Sequence, residues 1–471
     1  MITRYLRALG AALAAALGFV SCVSGTANAP GGAVRSQGLL PNSGGGTSQY
    51  ISHVVLVIQE NRTFDNLFAT FPGADGTTQG RMELPSGGYT YVTLQPSNLL
   101  EVCDFGHSYH GYSRDYDNGL MDGFGLEGGG AKCRGKQGTA PYQYVDPAQI
   151  APYWDIAQQY VLGDHMFSTQ GSGSFTNHQD LIAGASIIND TRTKSLVDFP
   201  SAKPWGCDAP RHHPKTVTSL LVGNSDNRLL RYRHGKGPFP CLGYRTLRDL
   251  LDAKGLSWKY YSPPEPGTGR FWNAFDAIRA VREGPEWSTN VAPSTQFFTD
   301  VAGGTLPAMS WIVPDNADSD HPGTPYDYGP SWVASIVNAV GESPYWATTA
   351  IVVVWDDWGG FYDHVPPPFL DQWGGLGFRV PLLVVSPYAR ESYPSKPGYI
   401  SHTQYEFGSI LKFVENVWSL GSLNTTDARA TSIIDCFDFT QPPRQFTAIP
   451  SQHSRAFFER RRPSYLPVDT E

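Results

Sequence analysis

Four short runs of apolar, mostly β-branched residues constrain the fold of this chain most. They are residues 53–58 (HVVLVI), 309–313 (MSWIV), 350–355 (AIVVVW) and 380–385 (VPLLVV). A strand with one face in water alternates apolar and polar side chains, whereas a parallel strand covered on both faces is apolar throughout. The runs therefore predict buried strands of a mainly parallel sheet.

Helical patterns lie between these runs. A capping-box pattern at residues 246–249 starts a short amphipathic helix that stops at Gly255, before a strand-like segment at residues 256–261. Apolar residues recur at helical spacing over residues 331–340, and a second capping-box pattern at residues 403–406 predicts the start of a longer helix. Strands that alternate with helices predict an α/β fold, a three-layer α/β/α sandwich around a mainly parallel central sheet.

Residues 1–29 have the order of a secretory signal peptide. Arg4 and Arg7 precede an Ala-rich apolar stretch at residues 9–20, and small residues follow up to Ala29. No later run reaches the length of about 18 apolar residues that predicts a membrane-spanning helix. We therefore expect an exported protein, periplasmic or secreted, whose mature chain has no transmembrane span. A lipid anchor through Cys22 stays open.

Composition divides the rest of the chain into three parts. Residues 30–49 are rich in Gly, Ser, Asn and Pro and are predicted to be a flexible leader. Residues 50–425 contain the strand and helix patterns and are predicted to form one folded domain. Residues 426–471 are predicted to be a C-terminal extension that packs on this domain or trails it.

The net charge is −8, and no basic block is present to neutralise nucleic-acid phosphates, so we expect no nucleic-acid partner.

The cysteine spacing leaves the disulfide connectivity open. Export makes disulfides plausible, and five cysteines remain when Cys22 is set aside. Pairing sequence neighbours gives Cys103–Cys133 and Cys207–Cys241, with Cys436 free.

Two of the predicted strands end on polar, mostly acidic residues. Glu60 and Asn61 follow the first run closely, and Asp356 and Asp357 follow the third. The carboxyl ends of parallel strands share the sheet edge at which α/β proteins bind ligands, so we expect these side chains to converge. Carboxylate and amide oxygens suit a hard divalent cation. The alternative is that the acidic residues only end strands and cap the following helices.

The residues after Asp357 also have two interpretations. Gly359 and Gly360 either let the backbone pass close to a metal or ligand, or only form a turn. Asp363 is expected to form hydrogen bonds within its own loop. His364 stays open between that structural role and the orientation of a metal ligand.

Residues 171–178 (GSGSFTNH) change from a small-residue loop to a helical pattern. A hydroxyl at Ser174 would lie at a helix N-terminus, where free backbone N–H groups favour a phosphate. A metal bound to that oxygen would generate a nucleophile without a neighbouring histidine. The alternative is an ordinary Gly/Ser loop that opens a helix.

Histidines on polar loops complete the candidate set. An imidazole at His107 or His321 could bind a phosphoryl oxygen or protonate a leaving alkoxide. The adjacent pair His212 and His213 is expected at the surface.

Four motifs together resemble a known family. QENRTFDNLF at residues 59–68, DFGH at 104–107, GSFTNH at 173–178 and WDDWGGFYDHVPPP at 355–368 are similar to segments of the bacterial phosphoesterase family of phospholipases C and acid phosphatases. The resemblance implies an alkaline-phosphatase-like fold and a catalytic domain over residues 50–425. It also leads us to expect a chain without the extra C-terminal domains of the larger haemolytic members.

The resemblance also implies roles for single residues. One divalent ion is expected, with Ca²⁺, Zn²⁺, Mg²⁺ and Fe²⁺ all left open. Ser174 matches the nucleophile, and His107 and His321 match the phosphate-binding and leaving-group histidines. Thr176, His178 and Asp357 depart from the usual family pattern. The implied metal ligands are Glu60, Asn61, Ser174, Asp356 and Asp357.

The reaction that these roles imply has two steps. Ser174 attacks phosphorus in line, Asn61 and the metal hold the non-bridging oxygens, and His321 assists departure of the alcohol before water hydrolyses the phosphoserine. We expect phospholipase C-like cleavage of phosphodiesters. The expected substrate is a phosphate ester, with phospholipid at a membrane surface as one candidate. The alternative is an acid phosphatase acting on phosphomonoesters. A non-catalytic envelope binding protein would not need the intact ligand set, and a sulfatase would need a formylglycine signal that residues 173–178 lack.

Overall fold

A central sheet organises the residues that the computed structural model describes, which are 47–100, 103–128, 138–212, 216–223, 231–263, 272–371, 374–392 and 398–464. In chain order the strands are β1 (His53–Gln59), β2 (Gln79–Glu83), β3 (Tyr89–Thr93), β4 (Gln95–Ser97), β5 (Gln143–Val145), β6 (Val161–Gly163), β7 (Met166–Phe167), β8 (Lys194–Val197), β9 (Ser219–Val222), β10 (Arg231–Arg233), β11 (Trp258–Tyr261), β12 (Val291–Ala292), β13 (Met309–Ile312), β14 (Thr349–Trp355), β15 (Phe369–Asp371), β16 (Gly374–Gly375), β17 (Leu382–Val385), β18 (Tyr399–Ser401) and β19 (Tyr405–Glu406). The helices are α1 (Phe64–Phe68), α2 (Tyr109–Tyr116), α3 (Ala151–Gln159), α4 (Ser174–Ala183), α5 (Leu247–Ala253), α6 (Arg279–Arg282), α7 (Glu286–Asn290), α8 (Gln296–Ala302), α9 (Gly329–Gly341), α10 (Phe407–Trp418), α11 (Thr426–Arg429) and α12 (Arg455–Arg460).

The central sheet has the strand order β12-β11-β13-β1-β14-β17-β6-β18. Neighbouring strands are parallel except at β17, which runs antiparallel to both β14 and β6. All of β14 and all of β1 after His53 are buried, as expected for strands covered on both faces. The predicted mainly parallel sheet is therefore confirmed.

Eight of the described helices pack against one another in two groups of four. One group contains α4, α5, α10 and α11, and the other contains α3, α8, α9 and α12. Helix α9 is buried almost all around, which explains why its apolar residues are not confined to one stripe. Together with the sheet, these helices make the α/β/α sandwich that the alternating pattern predicted.

Two predicted helices are present and one predicted helix start is wrong. Thr246 and Asp249 form the capping box of α5, and residues 331–340 lie within α9. The predicted cap at residues 403–406 is displaced, because Tyr405 and Glu406 form β19 and pair with β7. Helix α10 begins at Phe407, three residues later than that capping box predicts, with Glu406 as its N-cap.

Some of the cysteines lie among the described residues and others lie outside them. Cys207 and Cys241 form a disulfide, as in the pairing of sequence neighbours that was left open, and Cys436 is free and buried. Cys133 lies outside the described residues, as do the predicted signal peptide and Cys22.

The described part of the predicted C-terminal extension packs on the domain. In α12, the ring of Phe458 lies 5.2 Å from that of Trp332 in α9. Arg461 pairs with Asp315 at 2.7 Å and with Asp318 at 2.6 Å. Among the described residues, no helix is both long enough and apolar enough to cross a lipid bilayer.

Candidate active site

The ends of β1 and β14 bring four of the predicted site residues together. The two strands are parallel neighbours with Gln59 opposite Trp355, so Glu60 and Asp356 both follow directly at the same edge of the sheet. The backbone N–H of Asn61 donates to Asp356 Oδ1 at 3.0 Å, and Asn61 Nδ2 lies 3.5 Å from Asp357 Oδ2. All four side chains are fully buried.

Close backbone packing explains the paired glycines. Asn61 has a φ of 58°, a left-handed conformation that asparagine tolerates better than most residues. A Cβ at Gly359 would lie 2.3 Å from the carbonyl oxygen of Asn61, and one at Gly360 would lie 2.3 Å from Phe105 Cβ. Both positions therefore require glycine for the loop to pass beside the site.

Ser174 is the first residue of α4, with Gly173 as its N-cap. Its hydroxyl donates to Asp357 Oδ2 at 3.2 Å and lies 3.5 Å from Asn61 Nδ2. The first N–H groups of a helix have no partner within the helix and favour an anion at this position. The structure thus brings the predicted nucleophile to the buried carboxylates at the start of a helix.

His107 orients the amide of Asn61. His107 Nδ1 lies 2.8 Å from the carbonyl oxygen of Phe105, which only accepts, so Nδ1 carries the proton in the neutral ring. The other nitrogen, Nε2, therefore accepts from Asn61 Nδ2 at 2.9 Å. This hydrogen bond fixes the amide so that Asn61 Oδ1 faces away from His107 and is available as a ligand atom.

His321 lies near His107 on a loop that is held from several sides. The two imidazole centroids are 6.2 Å apart, and the ring of Trp272 stacks on His321 at 5.7 Å. His321 Nδ1 donates to the carbonyl oxygen of Pro322 at 2.7 Å. The preceding residue is fixed too, because Asp320 Oδ2 accepts from Trp355 Nε1 at 2.9 Å.

His178 belongs to the site, although the sequence interpretation left it out of the donor set. Its Nε2 lies 3.0 Å from Glu60 Oε1 and 3.6 Å from Asp356 Oδ2, and the ring is buried. The sequence interpretation expected oxygen ligands alone, whereas these neighbouring side chains also offer an imidazole nitrogen. The spacing was a usable signal, because residues four apart on a helix share one face, and His178 follows Ser174 by four.

Burial governs the protonation of the site. It raises the pKa of Glu60 and of Asp357, and it raises that of Asp356 to about 7, with the charge of Glu60 acting in the same direction. Glu60 Oε2, Asn61 Oδ1 and Asp356 Oδ2 accept no hydrogen bond from the residues that the structure describes. Buried acceptors of this kind cost free energy unless a ligand satisfies them. The side chains therefore fit a divalent cation.

Other predicted residues lie elsewhere. Asp363 Oδ1 accepts from the N–H of Val365 at 3.0 Å, the local bond expected, and also pairs with Arg379. His364 Nδ1 contacts Asp65 Oδ2 at 2.7 Å, so it belongs to a different group from the one around Asn61. Of the surface pair, His212 is exposed, and His213 lies outside the described residues.

Proteins similar to this chain include phospholipases C. The non-hemolytic phospholipase C of Burkholderia pseudomallei is 26% identical, over 90% of this chain and 64% of its own length. Phospholipase C A of Mycobacterium tuberculosis is 25% identical, over 83% of this chain and 78% of its own length. This chain thus spans less than two thirds of the first relative.

A family model matches most of the chain. A protein of the alkaline phosphatase superfamily from Vibrio parahaemolyticus aligns with a TM-score of 0.34 and 8% identity, over 79% of this chain and 68% of that one. The model of the phosphoesterase family matches residues 51–421, which include both strand ends, α4 and the two loop histidines. The chain therefore belongs to the phosphoesterase family, hydrolases that act on phosphoric ester bonds.

Proposed function

We propose that this protein is an exported, metal-dependent phosphodiesterase of the phospholipase C type with Ser174 as its nucleophile. One observation carries the proposal: the Ser174 hydroxyl, at the start of α4, donates to Asp357 at 3.2 Å inside a buried group of metal-binding side chains. The phospholipase C relatives support the diester substrate. The disulfide between Cys207 and Cys241 supports export, because such bonds persist in oxidising compartments.

The buried acceptors of the site indicate how an ion would be held. Glu60, Asn61, Ser174, Asp356 and Asp357 offer the oxygen atoms. A bound divalent ion would supply positive charge that lowers the pKa of the serine hydroxyl and offsets the charge of the phosphoryl oxygens.

The side chains account for the first half of the reaction. Ser174 Oγ attacks phosphorus in line and its proton passes towards Asp357 Oδ2, the acceptor of its hydrogen bond. The free N–H groups at the start of α4 and the amide of Asn61 bind the non-bridging oxygens. His321 in its protonated form gives the departing alkoxide the proton on Nε2 and keeps the proton on Nδ1, which donates to the carbonyl oxygen of Pro322. The ester P–O bond breaks as the Ser174 Oγ–P bond forms.

Water completes the reaction by reversing these proton movements. It attacks the phosphoserine in line, the Ser174 Oγ–P bond breaks, and the serine oxygen regains a proton. A diester thus yields an alcohol and a phosphomonoester. The buried site protects the intermediate from bulk solvent until the alcohol has left.

A second candidate is hydrolysis of phosphomonoesters. Protonated His321, whose ring centroid lies 6.2 Å from that of His107, could neutralise part of the additional negative charge that a monoester carries. The two candidates use the same nucleophile and differ in the substrate that reaches it.

The test compares p-nitrophenylphosphorylcholine with p-nitrophenyl phosphate, with and without chelator. Ser174→Ala is expected to lose more than about 10³-fold in kcat on either ester, because nothing replaces the nucleophile. Ser172→Ala is the matched control, since that buried hydroxyl bonds Thr176 and the N–H of Asp198 instead. Activity of Ser174→Ala within tenfold of wild type would exclude the serine mechanism. Turnover of the monoester alone would select the acid phosphatase.

A further inference from the structure

We propose that His178 Nε2 is a direct ligand of the ion in this site, and that the site therefore selects a first-row transition ion such as Zn²⁺, Mn²⁺ or Fe²⁺ over Ca²⁺ and Mg²⁺. The inference rests on the metal dependence in the proposed function. It replaces an all-oxygen donor set with a mixed oxygen and nitrogen set, and imidazole binds transition ions in preference to Mg²⁺ or Ca²⁺.

The distances between donors are those expected around one ion. His178 Nε2, one Glu60 oxygen and one Asp356 oxygen all lie within 4.8 Å of one another, with closest separations from Nε2 of 3.0 and 3.6 Å. Two donors bound at right angles to an ion at about 2.1 Å lie about 3.0 Å apart, and two on opposite sides lie about 4.2 Å apart. Both measured separations fall within that span.

A hydrogen bond alone leaves the group unsatisfied. If His178 only positioned Glu60, the single proton on Nε2 would serve Glu60 Oε1 at 3.0 Å. Glu60 Oε2 and Asp356 Oδ2 would then stay without a donor among the described residues, and a buried acceptor without a donor destabilises the folded state. One ion bound between the imidazole and the carboxylates satisfies both carboxylates together.

Helix α4 holds the imidazole in this position. Ser174 and His178 are four residues apart and so share one face of the helix. Every residue of α4 is buried, and Gln179 on the following position donates to the carbonyl oxygen of Ala274 at 2.8 Å. The same rigid element therefore presents the proposed nucleophile and the proposed nitrogen ligand to the carboxylates of β1 and β14.

The test uses the full-length protein, freed of metal and reloaded with single ions. Electron spin-echo spectra of the Mn²⁺-loaded protein detect a directly bound imidazole nitrogen. His178→Gln is the main variant, because its side-chain amide can still donate to Glu60 but offers no imidazole nitrogen. His402→Gln is the matched control, a histidine of the same edge whose Nδ1 contacts Asp164 instead.

The expected result combines the spectrum with the choice of ion. Wild type and His402→Gln show the nitrogen coupling, and His178→Gln loses it. By calorimetry, the affinity of His178→Gln for Zn²⁺ falls at least about tenfold while that for Ca²⁺ changes less than about threefold. The wild-type spectrum tests the proposal even if His178→Gln fails to fold.

Three outcomes would overturn the inference: no nitrogen coupling in Mn²⁺-loaded wild type, a coupling that persists in His178→Gln, or equal losses of Zn²⁺ and Ca²⁺ affinity. Failure of the proposed function is distinguishable. If the protein shows the nitrogen coupling but hydrolyses no ester, the His178 ligand is supported and the proposed function fails. If the enzyme is active but shows no nitrogen coupling, the proposed function is supported and the His178 ligand fails.

Discussion

Two acid-rich groups lie at the same edge of the central sheet, and only one has unsatisfied acceptors. The first follows β1 and β14, and we call it the catalytic group. The second surrounds the residues that follow β6 and precede β17, and we call it the arginine group. The catalytic group consists of Glu60, Asn61, His178, Asp356 and Asp357, and the arginine group consists of Asp65, Asp164, Asp363, His364 and Arg379.

Arg379 satisfies the second group from within. Its guanidinium is fully buried and contacts Asp363 Oδ1 at 2.8 Å and Asp65 Oδ1 at 3.3 Å. It also donates to the carbonyl oxygen of Asp164 at 2.9 Å, and His364 pairs with the other oxygen of Asp65. In the catalytic group, by contrast, three buried oxygens accept no hydrogen bond from the described residues. The buried cation of Arg379 marks the arginine group as structural, whereas the lack of hydrogen-bond donors marks the catalytic group as a ligand site.

The largest expected effect is on the arginine group. Arg379→Met leaves Asp65 and Asp363 buried without their cation, and the free energy of unfolding should fall by about 3–5 kcal/mol. Urea denaturation measures this loss, which should be the same with and without added metal.

Arg455→Met is the control for that loss. Arg455 is half-exposed and pairs with Glu459 four residues further along α12, so its removal should cost less than about 1 kcal/mol. If Arg379→Met also stayed within that limit, the two acid-rich groups would not differ in the way described.

The sequence predicted the catalytic group better than the arginine group for a physical reason. Buried parallel strands are apolar at consecutive positions, so the sequence itself shows where β1 and β14 end. It therefore predicts that Glu60 and Asp356 lie at those strand ends. Arg379 and Asp65 are 314 positions apart, and their pairing depends on how β17 enters the sheet antiparallel to its neighbours. No local pattern encodes that choice.

Tertiary pairing also explains the errors at residues 403–406 and His178. The capping pattern at 403–406 has the right composition, but Tyr405 and Glu406 extend β19 against β7 and move the start of α10. His178 carries the right helical spacing from Ser174, yet only the packing of α4 against the strand ends shows that a carboxylate faces it.

The next effect has the opposite sign and concerns the catalytic group without metal. Asp356→Asn removes one of the neighbouring buried charges, and the metal-free protein should gain about 1–3 kcal/mol in free energy of unfolding at pH 8. Metal should then stabilise wild type more than the variant, because the variant has lost a charged ligand. Thermal denaturation with chelator and with Zn²⁺ measures both differences.

The gain from Asp356→Asn should depend on pH. The folded pKa of Asp356 is raised to about 7, above its unfolded value, so the native state holds more protons between these values. The stability of the metal-free wild type therefore falls as pH rises through this window. The advantage of the variant should be largest at pH 8 and shrink at pH 5. A metal-free variant that is less stable than wild type at pH 8 would contradict the unsatisfied state of the catalytic group.

The smallest expected effect separates the charge of the arginine group from its packing. The hydrogen bond to Asp65 raises the pKa of His364 above 6.5 although burial opposes it, so protonated His364 stabilises the folded state below that value. This stabilisation is lost as pH rises through the folded pKa. His364→Ala should therefore cost about 1 kcal/mol more at pH 5.5 than at pH 8.5. A deficit that is equal at both pH values would assign His364 to packing alone, and Arg379 would then be the residue whose charge holds Asp65 and Asp363 together.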